Sequence, residues 1–118
     1  MTVYKYIHTR HIEDVAAGDN EFMIELIDIF LSQIPEFVSK MKSSLGEQNW
    51  LQLAREAHTA KSSALTFGME ETGKLLKSIQ LKAEDNDLEE VPQMTKDAIR
   101  QMEAAVSELL DLKSSLKN

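Results

Sequence analysis

Apolar residues at positions 50, 53, 57, 60, 64 and 67 recur at intervals of three or four, which leaves this stretch one economical way to bury them. At ~100° of rotation per residue they form a single stripe along a helix about five turns long. Helical spacing dominates the rest of the chain as well. No alternating apolar and polar run of any length, the mark of a half-buried strand, occurs. The pattern predicts an all-α protein: an antiparallel four-helix bundle with one or more short helices at the N-terminus.

The few glycines and prolines act as punctuation. Gly18-Asp19 closes a short periodic segment containing Ile12 and Val15, and Asp19 or Asn20 is suited to cap the next helix. That helix is expected to carry Phe22, Leu26, Ile29 and Phe30 on one side, with Ile27 and Leu31 widening the stripe. Pro35 falls where a further helix would begin, because its missing N–H costs nothing at the first helical position. Phe37, Val38, Met41 and Leu45 would line that helix up to Gly46, and Asn49 is suited to cap the one that follows. After the Trp50 to Phe67 segment, Gly68 can take the left-handed conformation that ends a helix. Leu75, Leu76, Ile79 and Ala83 mark another helix. The last starts around Pro92 and repeats Met94, Ala98, Met102, Ala105, Val106, Leu109 and Leu112.

Composition excludes several functions. With 118 residues the chain is long enough for one domain with its own core. It has no cysteine, so disulfides, thiol catalysis and cysteine-ligated zinc are out. Twenty acidic residues against thirteen basic ones give a net charge of −7, which repels a phosphate backbone and argues against nucleic acid as a partner. No segment approaches the ~18 unbroken apolar residues of a membrane span, and the first ten residues lack a signal peptide's apolar stretch. A cytoplasmic monomer without a membrane anchor is the expectation. The initial Met and the lack of a linker favour a free-standing protein.

Within this acidic chain, one helix face inverts the charge. His58 follows Ala57 and so lies ~100° from the buried stripe, at its edge or outside it. Arg55, Lys61, Ser62 and Leu65 share its side, making a patch that is basic, small and partly apolar. Lys61 is three residues after His58, close enough along a helix to be its neighbour. An imidazole that is neutral at physiological pH has a nucleophilic ring nitrogen, and a nearby ammonium suits a phosphoryl dianion.

Ala57-His58, Lys61, Ser62-Ser63 and Gly68, in this order and spacing, resemble the core motif of the histidine-containing phosphotransfer (HPt) domains of multistep phosphorelays. The segment GDNEFMIELIDIFLSQIP at 18–35 is similar to the family's stretch before the active helix, and Trp50 matches a common position. The resemblance covers about residues 12–112. Three positions depart from it: Ser62 stands where Gly is usual after the Lys, and Met69 and Thr72 replace the usual Ala and large apolar residue after Gly68. Serine keeps the docking face small, and the other two concern packing.

The resemblance implies that His58 is the phosphoacceptor in exchange with an aspartate on a response-regulator receiver domain, fed by a hybrid sensor histidine kinase. It implies that the receiver supplies the acidic Mg²⁺ pocket and that this chain binds no cofactor. Lys61 would offset phosphate charge and Ser62 would hydrogen-bond a phosphate oxygen. Gln80 joins this group, since it lies twelve residues beyond the Gly68 turn on an antiparallel helix and so returns near the level of His58, ten residues before that turn. Arg55, Leu65 and Lys77 are candidates for partner docking.

Competing readings are weaker. His8 and His11 lack a third ligand at metal-binding spacing and read as solvated residues. Met94 and Met102 lie on a helical stripe and read as core, and the acidic run from Glu84 to Glu90 reads as a solvated turn. No Gly-rich phosphate loop points to a kinase, and no paired carboxylates or Ser/His/Asp set point to another enzyme. The alternative function is an unphosphorylated helical adaptor that binds receivers, against which His58 and Lys61 together argue.

Overall fold

The computed structural model describes residues 3–117 and contains five helices: α1 (Arg10–Ala16), α2 (Asn20–Gly46), α3 (Trp50–Thr66), α4 (Glu70–Glu84) and α5 (Val91–Lys117). Short connections make successive long helices antiparallel. Helices α2, α3, α4 and α5 pack in a ring, each against the next and α5 back against α2, while α1 packs on α2. The result is a rod of 47 × 20 × 19 Å.

Local chemistry sets most of the helix ends. The Asp19 carboxylate accepts the Phe22 N–H at 3.1 Å, and the Asn49 side-chain oxygen accepts the Gln52 N–H at 3.2 Å, satisfying donors that the first helical turn leaves free. Gly68, at φ +69°, ends α3: its N–H bonds Leu65 O, and the Met69 N–H reaches back to Ala64 O, both at 3.0 Å. This paired pattern is the Schellman arrangement that glycine favours. Phe67, just before it, stacks on Phe30 of α2 with ring centroids 4.8 Å apart, fixing the end of α3 against its neighbour.

Two expectations for α2 are corrected. Pro35 does not open a new helix; it lies inside a continuous helix of 27 residues. The buried row Met23, Ile27, Phe30, Ile34, Phe37, Val38 and Met41 runs through it without a break in spacing, so core packing outweighs the one backbone hydrogen bond that proline removes. Pro35 is itself exposed, where water can serve the carbonyl left without a partner. The buried face is also rotated from the expected one. Phe22 and Ile29 are 38% and 52% exposed, because the neighbouring row that begins at Met23 is the one that continues into the core. In α1, likewise, Ile12 and Ala16 are buried and Val15 faces solvent.

An N-terminal strap, unforeseen in the sequence, crosses the end of the bundle. The Glu108 carboxylate accepts the backbone N–H groups of Lys5, Tyr6 and Ile7 at 3.0–3.2 Å, and the Tyr4 hydroxyl donates to Asp111 at 2.8 Å. Ile7 is buried, and the His8 N–H bonds Phe67 O at 2.9 Å. A Cβ on Gly68 would run into the His8 carbonyl oxygen, so this glycine is needed for the strap as well as for the turn. Thr72, where the family resemblance would put a large apolar residue, is buried and donates to Gln101 Oε1 at 2.6 Å, joining α4 to α5. Met69 is buried in the core, Met102 is fully buried and Met94 packs partly against it. In the acidic turn, Lys82 reaches Asp87 and Glu90 at 3.3 and 3.5 Å, which raises its pKa above the usual lysine value. Among the described residues, no helix is long and apolar enough to cross a membrane.

Candidate functional site

Helix α3 has two faces of opposite character. Leu53, Ala57, Ala60 and Ala64 are fully buried, and side chains this small let α3 lie close to its neighbours. The opposite row, Leu51, Arg55, His58, Ser62 and Leu65, is exposed, and its spacing of four and three residues makes a second stripe with His58 at its centre. Leucines lie near both ends, Leu51 at 64% and Leu65 at 43% exposure. Leu51 was missed in the sequence reading, although its place seven residues before His58 puts it on the same side.

His58 is fixed from the neighbouring helix. Its Nδ1 lies 3.2 Å from Oε1 of Gln80 on α4. The other end of that amide donates from Nε2 to Glu84 Oε2 at 3.4 Å, a long contact that sets which way the amide faces. A carbonyl oxygen only accepts, so Nδ1 carries the ring proton in this arrangement and Nε2 is left with its lone pair. Two turns of α4 thus define the tautomer of a ring on α3. Glu84 belongs to the acidic run whose composition indicates a solvated turn, and its place four residues after Gln80 is the signal in the sequence that links the two.

The remaining candidates fall around this pair. Lys61 is half-buried and, among the described residues, forms no ion pair. Ser62 and Arg55 are exposed on α3, and Lys77 is exposed on α4 one turn before Gln80. Ser63, half-buried, donates to Gln33 Oε1 of α2 at 3.0 Å and so ties α3 to α2. Gly73 of α4 is buried under Leu65, where a Cβ would come within 2.5 Å of Leu65 Cδ2. The missing side chain lets Leu65 lie across the α3–α4 seam. His8 and His11 are both exposed, and neither shares a side-chain hydrogen bond with His58.

This arrangement can do one kind of chemistry well. An exposed imidazole with one nitrogen protonated and held has its second nitrogen free for attack on an electrophile brought by another molecule. Small and apolar neighbours leave room for that molecule to approach.

Comparison with known proteins points to the same family as the sequence motif. The model of the Hpt domain family matches residues 25–112. The phosphorelay protein LuxU of Vibrio harveyi is 29% identical over 86 residues, covering 71% of this chain and 75% of that protein. The crystal structure of histidine-containing phosphotransfer protein B (HptB) from Pseudomonas aeruginosa PAO1 superposes with a TM-score of 0.87 over 96% of this chain and 98% of that one, at 14% identity. At that identity the structural likeness speaks for the fold alone.

Proposed function

The chain belongs to the Hpt domain family, and we propose that it is a phosphorelay intermediate in which His58 exchanges a phosphoryl group with an aspartate of a response-regulator receiver domain. The observation that carries this reading is the exposed imidazole whose Nδ1 pairs with Gln80. In the forward step the Nε2 lone pair attacks phosphorus of an aspartyl phosphate. A bond forms between Nε2 and phosphorus, the bond from phosphorus to the carboxylate oxygen breaks, and the aspartate leaves with that electron pair. The ring keeps its proton on Nδ1, and the positive charge that develops there is met by the Gln80 carbonyl. The reverse step restores the neutral ring.

Such transfers depend mainly on positioning and on offsetting phosphate charge. Lys61 offsets the charge of about −1.5 to −2 on the phosphoryl group, and Ser62 donates a hydrogen bond to one of its oxygens. Gln80 acts through the ring. Arg55, Leu65 and Lys77 form the docking surface with Leu51. Mg²⁺ belongs to the acidic pocket of the receiver. The chain carries phosphate and does not take it from ATP; a hybrid sensor histidine kinase is its source, in the cytoplasm. LuxU, itself named a phosphorelay protein, favours this reading over a purely adaptor role.

Incubation with a phosphorylated receiver and Mg²⁺ tests the proposal. Acid-labile label is expected on the wild type and none on His58→Gln. Equal labelling of the two proteins would sink the assignment.

A further inference from the structure

The ring order of the bundle puts the α2–α5 seam on the side away from the α3–α4 seam that holds His58. A groove runs along it, in two adjoining hollows of about 430 and 570 Å³ that share Lys42 and Glu103. Its lining extends from Ile34 to Gly46 on α2, roughly 18 Å at 1.5 Å per residue. The floor is apolar, made by Val38 and Leu45 of α2 and Ile99 and Val106 of α5.

Charge is distributed unevenly along this groove. Lys96 and Arg100 line only the hollow near the C-terminus of α2, whereas Lys42 and Glu103 both sit at the junction of the two hollows. Among the described residues Lys42 and Lys96 have no ion-pair partner, and Arg100 has only a long contact of 3.8 Å with Asp97 on its own helix. In a chain of net charge −7, three basic residues line an apolar trough whose lining holds one carboxylate, that of Glu103. Their complement is an external anion with an apolar side.

We propose that the α2–α5 groove is a second docking surface, which takes an acidic amphipathic helix of a partner protein while the His58 face stays open. A trough between two antiparallel helices suits a third helix laid along it with apolar residues at i, i+3 or i+4 and i+7. About three turns fill the length. The basic end calls for acidic residues in one terminal turn of the occupant, and Glu103 disfavours them at its middle. A receiver and the helical partner could then be bound at once, on opposite sides of a bundle about 20 Å thick.

The test uses a 15-residue helical peptide of Ala, Leu and Glu, with Leu at i, i+3 and i+7 and Glu confined to one end, and a control carrying Lys in place of Glu. Titrated into the full ¹⁵N-labelled chain, the acidic peptide is expected to shift the amides of Lys42, Leu45, Ile99 and Arg100 and to leave His58 unmoved. Binding should weaken as salt rises. The double variant Lys42→Glu/Arg100→Glu, checked for intact helicity by circular dichroism, should bind about tenfold or more weakly. The milder pair Lys42→Gln/Arg100→Gln gives the same reading should the reversal unfold the chain. The proposal is overturned if the acidic peptide fails to bind at millimolar concentration, if it shifts the α3–α4 face instead, or if the Lys control binds equally well. It is also overturned if sedimentation shows a second copy of the chain occupying the groove. Labelling of His58 by a phosphoreceiver is read separately and is expected to be unchanged with peptide bound.

Discussion

Gln80 Oε1 lies 3.2 Å from His58 Nδ1, so the ring is supplied by α3 and its tautomer by α4. The contact reaches across 22 residues of sequence and is unaffected by the composition of the turn between the helices, provided the turn keeps their register.

Replacing Gln80 with Ala should therefore slow phosphotransfer while leaving the fold intact. A neutral hydrogen bond contributes about 0.5–1.5 kcal/mol, which corresponds to roughly a 2- to 12-fold loss in rate. The ¹⁵N shifts of the His58 ring offer a direct check, with Nδ1–H dominant in the wild type and a tautomer mixture in the variant. An unchanged ring spectrum would refute the role given to Gln80.

Lys61→Ala is expected to slow transfer on the order of tenfold or to shorten the lifetime of the phosphohistidine, because a charge-assisted contact is stronger than a neutral one. Thermal unfolding should change little. A large loss of stability with normal transfer would reassign Lys61 to a structural role.

Thr95 is fully buried, and among the described residues its hydroxyl has no hydrogen-bond partner. Thr95→Val removes that polar atom with little change in shape, and a gain of about 1 kcal/mol is expected in urea unfolding. A loss of stability would mean that the hydroxyl is satisfied in solution.

Gly68→Ala should cost at least about 1–2 kcal/mol for the left-handed conformation alone. The collision with the His8 carbonyl adds to it. Removing residues 3–9 in the same variant should relieve the second part only, so the two effects separate in a comparison of denaturant midpoints.

Alkaline pH probes the strap. Burial first, then the hydrogen bond from its hydroxyl to Asp111 and the negative charges of Asp111 and Glu108, push the Tyr4 pKa from 10.0 up to about 12. The folded chain thus holds this proton longer than the unfolded one. The associated stability is full below pH 10 and is lost as pH rises through about 12. Absorbance titration at 295 nm, taken as the difference between wild type and Tyr4→Phe, should show the late ionisation, and the variant should lose that part of the pH dependence.

Much of this molecule could be read from residue spacing. The α3 stripe, the Asp19 and Asn49 caps, the Gly68 turn and the return of Gln80 to the level of His58 all follow from helix geometry acting over one or two elements. What could not be read depends on choices between near-equal local options. The rows beginning at Phe22 and Met23 have the same spacing, and only the continuation of packing from Ile34 across Pro35 to Phe37 and Met41 selects the second. The strap carries no periodic signal, since its order comes from Glu108, about a hundred residues away. The need for Gly73 comes from Leu65 of another helix lying over it, which no spacing within α4 encodes.

The clasp of Glu108 on residues 5–7 spans 101–103 residues of sequence, whereas the helices of the bundle mostly meet their neighbours in the chain. Closing so long a loop requires both ends of the chain to be gathered first, so the strap is expected to assemble last and to open before the bundle does. Amides of Lys5, Tyr6 and Ile7 would then exchange with solvent ahead of those in α3. Each such opening also releases the His8 contact with Phe67, which leaves the end of α3 held by its own turn and by the stacking of Phe67 on Phe30.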